Sequence, residues 1–412
     1  MNKNIFEDYK KFAGPEAIDQ LFQVANQLQK ISIVHVSSTA TGGGVAEILI
    51  RMIPMTQALG IDTRWEILEG SQEFFQCTKI FHNALQGLNE FPSTLQIQQY
   101  EEINKQNAER LKDILTHADI VIIHDPQPLP LIAFTPQRKG KWIWRCHIDT
   151  SSPNEDVWKY LKQYINQFDA SIFSLAEFTH PSPHPVFTIP PSIDPLTDKN
   201  CELEKKEIDN VYDLFKIDPT HPIILQVSRY DRFKDPLGVI KAYRLIQKIN
   251  STVQLVLVGG GASDDPEGDL VLNEVRNAAD GDPNIFVLLL SNDAHRTINA
   301  LQRAATIVLQ KSLREGFGLT VTEALWKRKP VIGGNTGGIK LQLINGQTGF
   351  VVNTPEEAAS RISHLLQHPE ECQLLGSNGR EHVREKFLIT RHLRDYLSLI
   401  LSLISENSNK MK

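Results

Sequence analysis

The sequence predicts an α/β protein built from two doubly wound, Rossmann-like parallel-sheet domains that face each other across a cleft. Three observations carry this. Short β-branched runs alternate with stretches of helical period, as in parallel sheets covered by helices on both faces. The alternation breaks once, in a Pro-rich and then charged stretch near residues 190–221, and resumes after it. At 412 residues the chain is also too long for one hydrophobic core at about 150 residues per domain.

The first series has expected strands at 31–37, 63–68, 118–124, 142–148, 170–174 and 186–189. Between them, 45–59 and 101–117 have helical period, and Asn154 after Pro153 is placed to cap a helix running to 167. The 190–221 stretch reads as a linker. Beyond it the expected strands are 223–228, 254–258, 285–290, 306–309 and 331–333, and the expected helices 236–249, 270–279, 294–304 and 319–329. The segment 391–405 is helical and apolar on one side. A helix added after a complete βα series needs a surface to cover, so it is expected to cross back and complete the first domain, giving domains 1–195 with 391–412, and 196–390.

Composition excludes several classes. With 41% apolar and 22% charged residues, 24 Gly and 22 Pro, the chain is neither collagenous, low-complexity nor disordered. Against 49 acidic residues stand 43 Lys and Arg, a net charge of −6 with no basic run, so nucleic acid is not an expected partner. No apolar stretch approaches the roughly 20 residues needed to cross a bilayer, and the start MNKNIFEDYKKF has no apolar signal region. Four cysteines without CxxC spacing argue against a disulfide framework or zinc site. A reducing, cytoplasmic setting is expected.

Three loops could carry chemistry. Thr41-Gly42-Gly43-Gly44-Val45-Ala46-Glu47 lies between the first strand and a helix. Its glycines would let backbone approach an anion at the helix start, or they make only a tight turn. It fails as a dinucleotide fingerprint because position 47 is Glu rather than Gly or Ala. Ser228-Arg229-Tyr230-Asp231-Arg232-Phe233-Lys234-Asp235 follows the first strand of the second series, where an Arg fork and a Lys point charge suit a diphosphate. Otherwise its charges make surface pairs worth about 0–1 kcal/mol. In Arg314-Glu315-Gly316-Phe317-Gly318-Leu319-Thr320-Val321-Thr322-Glu323, two glutamates stand eight positions apart. Glu315 can accept hydrogen bonds from sugar hydroxyls, the N–H groups of Gly316–Leu319 start a helix, and Glu323 one turn on can reach a ribose diol. As plain helix-start acids they would be worth about 0.3–1 kcal/mol each.

Together the E-x7-E element, the SRYDRFKDP loop and the TGGGVAE loop resemble retaining glycosyltransferases of the GT-B fold. The ordered blocks HVSSTATGGGVAEIL, HDPQPLPL, WRCHIDTSSPN, VSRYDRFKDP, LQKSLREGFGLTVTEALWK and PVIGGNTGGI are similar to trehalose glycosyltransferring synthases and their relatives, the retaining trehalose phosphorylases. The Gln- and Asn-rich stretch 86–106 matches no block and is expected to alter an acceptor-side loop.

The resemblance implies roles. Gly43 and Gly44 border the donor phosphates, and Arg229 and Lys234 neutralise the leaving diphosphate. Glu315 holds glucose hydroxyls beside the backbone of Gly316, Phe317 and Gly318, Leu319 and Thr320 continue the N–H row, and Glu323 binds ribose. His147 contacts the donor sugar near the reacting carbon, while His124, Asp125, Gln127, Asp149 and Asn154 face the acceptor. For His147 a satisfied core histidine, and for His124-Asp125 an ordinary strand-to-helix turn, are the competing readings. The implied donors are ADP-, UDP- or GDP-glucose, the acceptor glucose and the product trehalose, formed reversibly. Alternatives are a phosphorylase using glucose 1-phosphate, another small sugar or polyol acceptor, an epimerase on the same scaffold, and a sugar-nucleotide sensor. No tightly bound cofactor or metal is expected, with Mg²⁺ at most accompanying the nucleotide, and a homodimer is an open expectation.

Overall fold

The computed structural model describes residues 4–41, 43–260, 266–291 and 293–410. The chain divides into two compact units, one ending at Ser192 and resumed from Ile389, the other Ile193–Leu388. The first contains β1 (Ser32–Ser37), β2 (Asp62–Ile67), β3 (Ile120–His124), β4 (Lys141–Arg145), β5 (Ala170–Phe173) and β6 (Val186–Thr188). The second contains β7 (Ile223–Val227), β8 (Gln254–Gly260), β9 (Ile285–Leu290), β10 (Ile307–Gln310), β11 (Val331–Gly334) and β12 (Gly349–Val352).

Each sheet is fully parallel. The first runs β2-β1-β3-β4-β5-β6 and the second β12-β11-β10-β7-β8-β9. The strand order therefore reverses between β1 and β3 in one sheet and between β7 and β10 in the other. Loops leaving the carboxyl ends on either side of such a reversal diverge and leave a crevice for a ligand. The glycine loop follows β1 and His124-Asp125 closes β3; the Arg229–Lys234 loop follows β7 and the Glu315 loop follows β10. Buried Trp142, Trp144, Phe81 and Tyr100 dominate the first core, and Leu255, Leu257, Ile307 and Leu309 belong to the second.

The helix Ile389–Lys410 belongs to the first unit, where it packs on the helix Pro15–Asn26 and buries Leu393, Tyr396, Leu397 and Ile400. Two expectations need correction. The stretch read as a linker contains the helix Lys205–Phe215, with a Glu204/Glu207 capping box and a left-handed C-cap at Lys216. The Gln/Asn-rich stretch is not an altered loop; it enters the helix Thr94–Arg110 behind a Ser93/Gln96 capping box. There Glu101 accepts hydrogen bonds from the Tyr160 and Tyr164 hydroxyls, both at 2.9 Å, and Asn104 donates to the Tyr100 and Gln127 carbonyls at 2.9 and 3.0 Å. Its polar residues are structural ties. β12 is also unanticipated. Among the described residues no helix is long and apolar enough to cross a membrane.

Candidate functional site

In the second unit, the loop after β7 is shaped by its own polar side chains. The Asp231 carboxylate accepts the Phe233 N–H at 2.7 Å, starting a short 3₁₀ turn over Arg232–Lys234. Asp235, at φ 51°, caps the helix Pro236–Gln247 by accepting the Gly238 N–H at 3.1 Å. Gln226, inside β7, donates to the Lys234 carbonyl at 2.8 Å. These bonds hold Lys234 so that Nζ donates to both oxygens of Glu315, at 2.8 and 2.7 Å. Ser312 Oγ donates to the same carboxylate at 3.1 Å, and Lys311, directly before it, pairs with Asp235. The cation and carboxylate expected at separate tasks thus form one partly buried pair. Arg229 is 61% exposed, with Asp231 3.5 Å away.

The Glu315 loop is fastened from behind. Gly316 accepts the Gly338 N–H at 3.2 Å. Gln342 donates to the carbonyls of Phe317 and Gly318 at 2.6 and 3.3 Å while its own oxygen accepts the Thr322 hydroxyl at 2.6 Å. With these carbonyls tied down and Gly318 at φ 84°, the helix Leu319–Trp326 begins without a side-chain cap. Its first-turn N–H groups at Leu319 and Thr320 carry the partial positive charge suited to an anion. Glu323 is 3% exposed, 3.4 Å from Gln302 Nε2. Beneath it, buried Lys327 donates to the Glu323 carbonyl and to Asn200 Oδ1, both at 3.2 Å. Burial pushes the Lys327 ammonium well down, and the negative charge of Glu323 partly opposes this.

In the first unit, Gly43 (φ 81°) and Gly44 open the helix Gly43–Ala58 and are exposed; Gly42 of the same loop lies outside the described residues. His124 lies between two other rings, its Nε2 3.0 Å from His35 Nδ1 and its Nδ1 3.0 Å from His147 Nε2. Asp125, at φ 62°, accepts the His147 backbone N–H at 2.7 Å and its own N–H donates to the Arg145 carbonyl at 2.8 Å. The turn reading of His124-Asp125 is therefore present alongside any ligand role. Gln127 is half-buried, and its side-chain oxygen has no hydrogen-bond partner among the described residues.

Asp149 and Asn154, both expected on the acceptor side, have short-range partners of their own. Asp149 is buried and closes a local turn, accepting the Ser151 N–H and hydroxyl at 3.0 and 2.6 Å. Asn154 caps the helix Glu155–Ile165 by accepting two N–H groups at 3.1 Å, and its amide nitrogen donates to Asn89 at 3.2 Å. Both are short-range caps that a strand-end polar cluster mimics in sequence. Sequence reasoning missed His35, Lys311, Gln302 and Gln342. Only His35 and Lys311 stood in the quoted blocks, and neither broke the local strand pattern. Among the described residues no group of three or more His, Cys, Asp or Glu could hold a metal ion.

Burial raises the Asp125 carboxyl from 3.8 to about 7, against the pull of the His147 N–H and Arg145. A folded value above the unfolded one gives stability that is full below about 3.8 and lost as pH rises through about 7. Asp125→Asn keeps an acceptor for the His147 amide and tolerates positive φ. The melting temperature of the variant relative to the parent is therefore expected to climb between about pH 4 and pH 7, and a flat difference across that window would contradict the assignment.

Comparison with known proteins gives the family and the fold. Residues 35–180 match the family model "Trehalose synthase, N-terminal domain", and residues 211–382 match "Glycosyl transferases group 1". The chain is 47% identical over 400 residues to a trehalose synthase of Thermococcus litoralis, covering 96% of each. It is 29% identical to a trehalose phosphorylase of Grifola frondosa, covering 92% of this chain and 58% of that one. The fold matches a solved α,α-trehalose 6-phosphate synthase from Burkholderia multivorans with a TM-score of 0.73 at 14% identity, over 93% of this chain and 98% of that one. The two parallel six-stranded units are of the GT-B type.

Proposed function

The chain belongs to the trehalose synthase family of glycosyltransferases, and from that premise we propose that it transfers glucose from a nucleoside diphosphate glucose to glucose, reversibly forming the α,α-1,1 bond of trehalose with retention. Glucosyl transfer involving trehalose follows from the family; the donor and direction are the proposal. One observation carries it. The loops flanking the β7/β10 reversal bring Lys234 onto Glu315 beside the uncapped start of the helix Leu319–Trp326, with Arg229 on the same loop as Lys234. Two cations and a helix N-terminus suit a diphosphate, and a carboxylate beside them suits sugar hydroxyls.

In this scheme the acceptor hydroxyl forms its bond to the anomeric carbon on the face from which the phosphate oxygen departs. That leaving oxygen takes the hydroxyl proton, so no enzyme carboxylate serves as nucleophile. The protein contributes positioning and charge stabilisation: Arg229, Lys234 and the N–H groups of Gly318–Thr320 face negative charge growing on the diphosphate. Glu315 orients the glucose, with Lys234 fixing the carboxylate. His147 is read as the donor-sugar histidine and Asp125 and Gln127 as the acceptor-side candidates, while His124, with both ring nitrogens taken by His35 and His147, acts through His147. Gly43 and Gly44 leave room for the donor phosphates. Mg²⁺, if used, enters with the nucleotide as part of the substrate.

Glu323 separates a nucleotide donor from glucose 1-phosphate, because a ribose partner has no purpose without a nucleotide. Glu323→Gln preserves shape in a buried position and is expected to raise KM for the nucleotide sugar about tenfold, equivalent to about 1.4 kcal/mol. The direct test is incubation with ADP-, UDP- or GDP-glucose or with glucose 1-phosphate, each with and without glucose, followed by product identification. Trehalose formed with a nucleotide donor and glucose is the expected result. Trehalose formed from glucose 1-phosphate and glucose, with phosphate released, would make the enzyme a phosphorylase, and a product other than trehalose would reassign the acceptor.

A further inference from the structure

Three imidazoles stand in a row across adjacent strands of the first sheet. His35 lies in β1, His124 ends β3 and His147 follows β4. Both contacts join the Nδ1 of one ring to the Nε2 of the next at 3.0 Å. In each step the ring centroids are 5.3 Å apart, with interplanar angles of 21° and 17°. That spacing is close to the roughly 4.8 Å between neighbouring strands, so the sheet itself sets the stack. His35 and His124 are 3% and 2% exposed, and His147 is half-buried.

A neutral imidazole has one N–H and one lone pair. If His35 donates from Nδ1, His124 accepts at Nε2 and must carry its proton on Nδ1, which donates to His147 Nε2; His147 then carries its proton on Nδ1. In the opposite sense every ring carries its proton on Nε2. No mixed set of neutral tautomers satisfies both contacts. A cationic His124 would also satisfy them, but the surroundings oppose it. The charged groups facing the row are the buried guanidinium of Arg145, the half-buried carboxyl of Asp125, and His392 on the helix Ile389–Lys410. Burial holds His35 at about 3 and His124 and His147 well below the usual histidine value, with Arg145 adding to the effect on the latter two.

We propose that this row is a tautomer relay, in which His35 and His124 are positioning residues whose tautomers are coupled to that of His147 and so to whether its remaining nitrogen, Nδ1, donates to or accepts from a substrate hydroxyl. The link to substrate rests on the reading of His147 as the donor-sugar histidine. The relay gives a role to a buried histidine that reaches His147 through the ring of His124. A sugar hydroxyl can donate or accept, and a fixed tautomer presents it with one sense only.

The test is long-range ¹H–¹⁵N correlation of the imidazoles in the ¹⁵N-labelled full chain at pH 7.5, with each ring assigned by single substitution. All three rings are expected to be neutral and in the same tautomer. Neighbouring rings in opposite tautomers, or a cationic His124, would overturn the relay. His35→Asn places an amide nitrogen near the position of Nδ1 and keeps the contact; His35→Leu removes it. His35→Leu is expected to mix the His147 tautomers and lower kcat about tenfold with KM little changed, while His35→Asn restores most of the turnover. Unchanged kcat in the leucine variant, or equal loss in both, would contradict the proposal. The spectroscopic result needs no substrate, so its failure removes the relay and leaves glucosyl transfer standing, whereas failure of nucleotide-sugar transfer leaves the spectroscopic test intact.

Discussion

Lys234→Ala is expected to lower kcat by about 10²–10³, the usual cost of removing one contact that stabilises charge developing in the transition state. The structure adds a second consequence. Lys234 holds both oxygens of Glu315, and both side chains are largely buried. Among the described residues its removal leaves a carboxylate with the Ser312 hydroxyl as its remaining side-chain partner, so the variant should also lose part of the about 3–5 kcal/mol that breaking a buried pair costs. Adding Glu315→Gln should recover stability without recovering turnover. Arg229→Ala is the control for charge alone: its side chain is mostly exposed beside Asp231, so kcat should fall about 10² with an unchanged melting temperature. Near-normal turnover in both single variants, measured with the nucleotide sugar, would remove the phosphate-stabilising role from this loop.

Gly337→Ala should be comparably damaging although residue 337 touches no proposed substrate group. An added Cβ would stand 1.6 Å from the carbonyl oxygen of Glu315, and φ there is 44°. Backbone cannot yield as a flexible side chain can, so the Glu315–Gly318 loop must move, and displacement by about 1 Å at a reacting site costs on the order of 10² in rate. Next to it, a Cβ on Gly338 would meet Phe317 Cα at 2.5 Å. The variant is expected to lose kcat at least 10²-fold while far-ultraviolet circular dichroism is preserved. Wild-type turnover would show that the GGNTGG segment does not set the loop geometry.

The two sheets were legible because buried parallel strands are short apolar runs at regular spacing, and the second-unit site was legible because Arg229, Lys234, Glu315 and Glu323 cluster at two strand ends. The pairing of Lys234 with Glu315 was not, since it joins positions 81 residues apart. Gln342 left no signal for the same reason, and Gly337 stood in the quoted PVIGGNTGGI block without its contact to the Glu315 loop being legible: contact with a neighbouring loop's carbonyls has no period. In the helix Lys205–Phe215, Ile208, Val211, Tyr212 and Phe215 do recur at helical spacing, but the surrounding charges and prolines obscured them. Asp149 and Asn154 show the converse, because polar residues at strand ends serve as local caps as readily as ligands. His35 was hidden by its strand, where one histidine among apolar residues reads as part of the alternation.

Stereochemistry with stoichiometry tests the central claim most directly. The enzyme would be given nucleoside diphosphate α-glucose and glucose ¹³C-labelled at its anomeric carbon, and the reaction followed by NMR. The account predicts trehalose with the label in one ring only, both anomeric centres α, and one nucleoside diphosphate released per trehalose. A β-configured centre at the transferred glucose, or a product formed without release of nucleoside diphosphate, would contradict it.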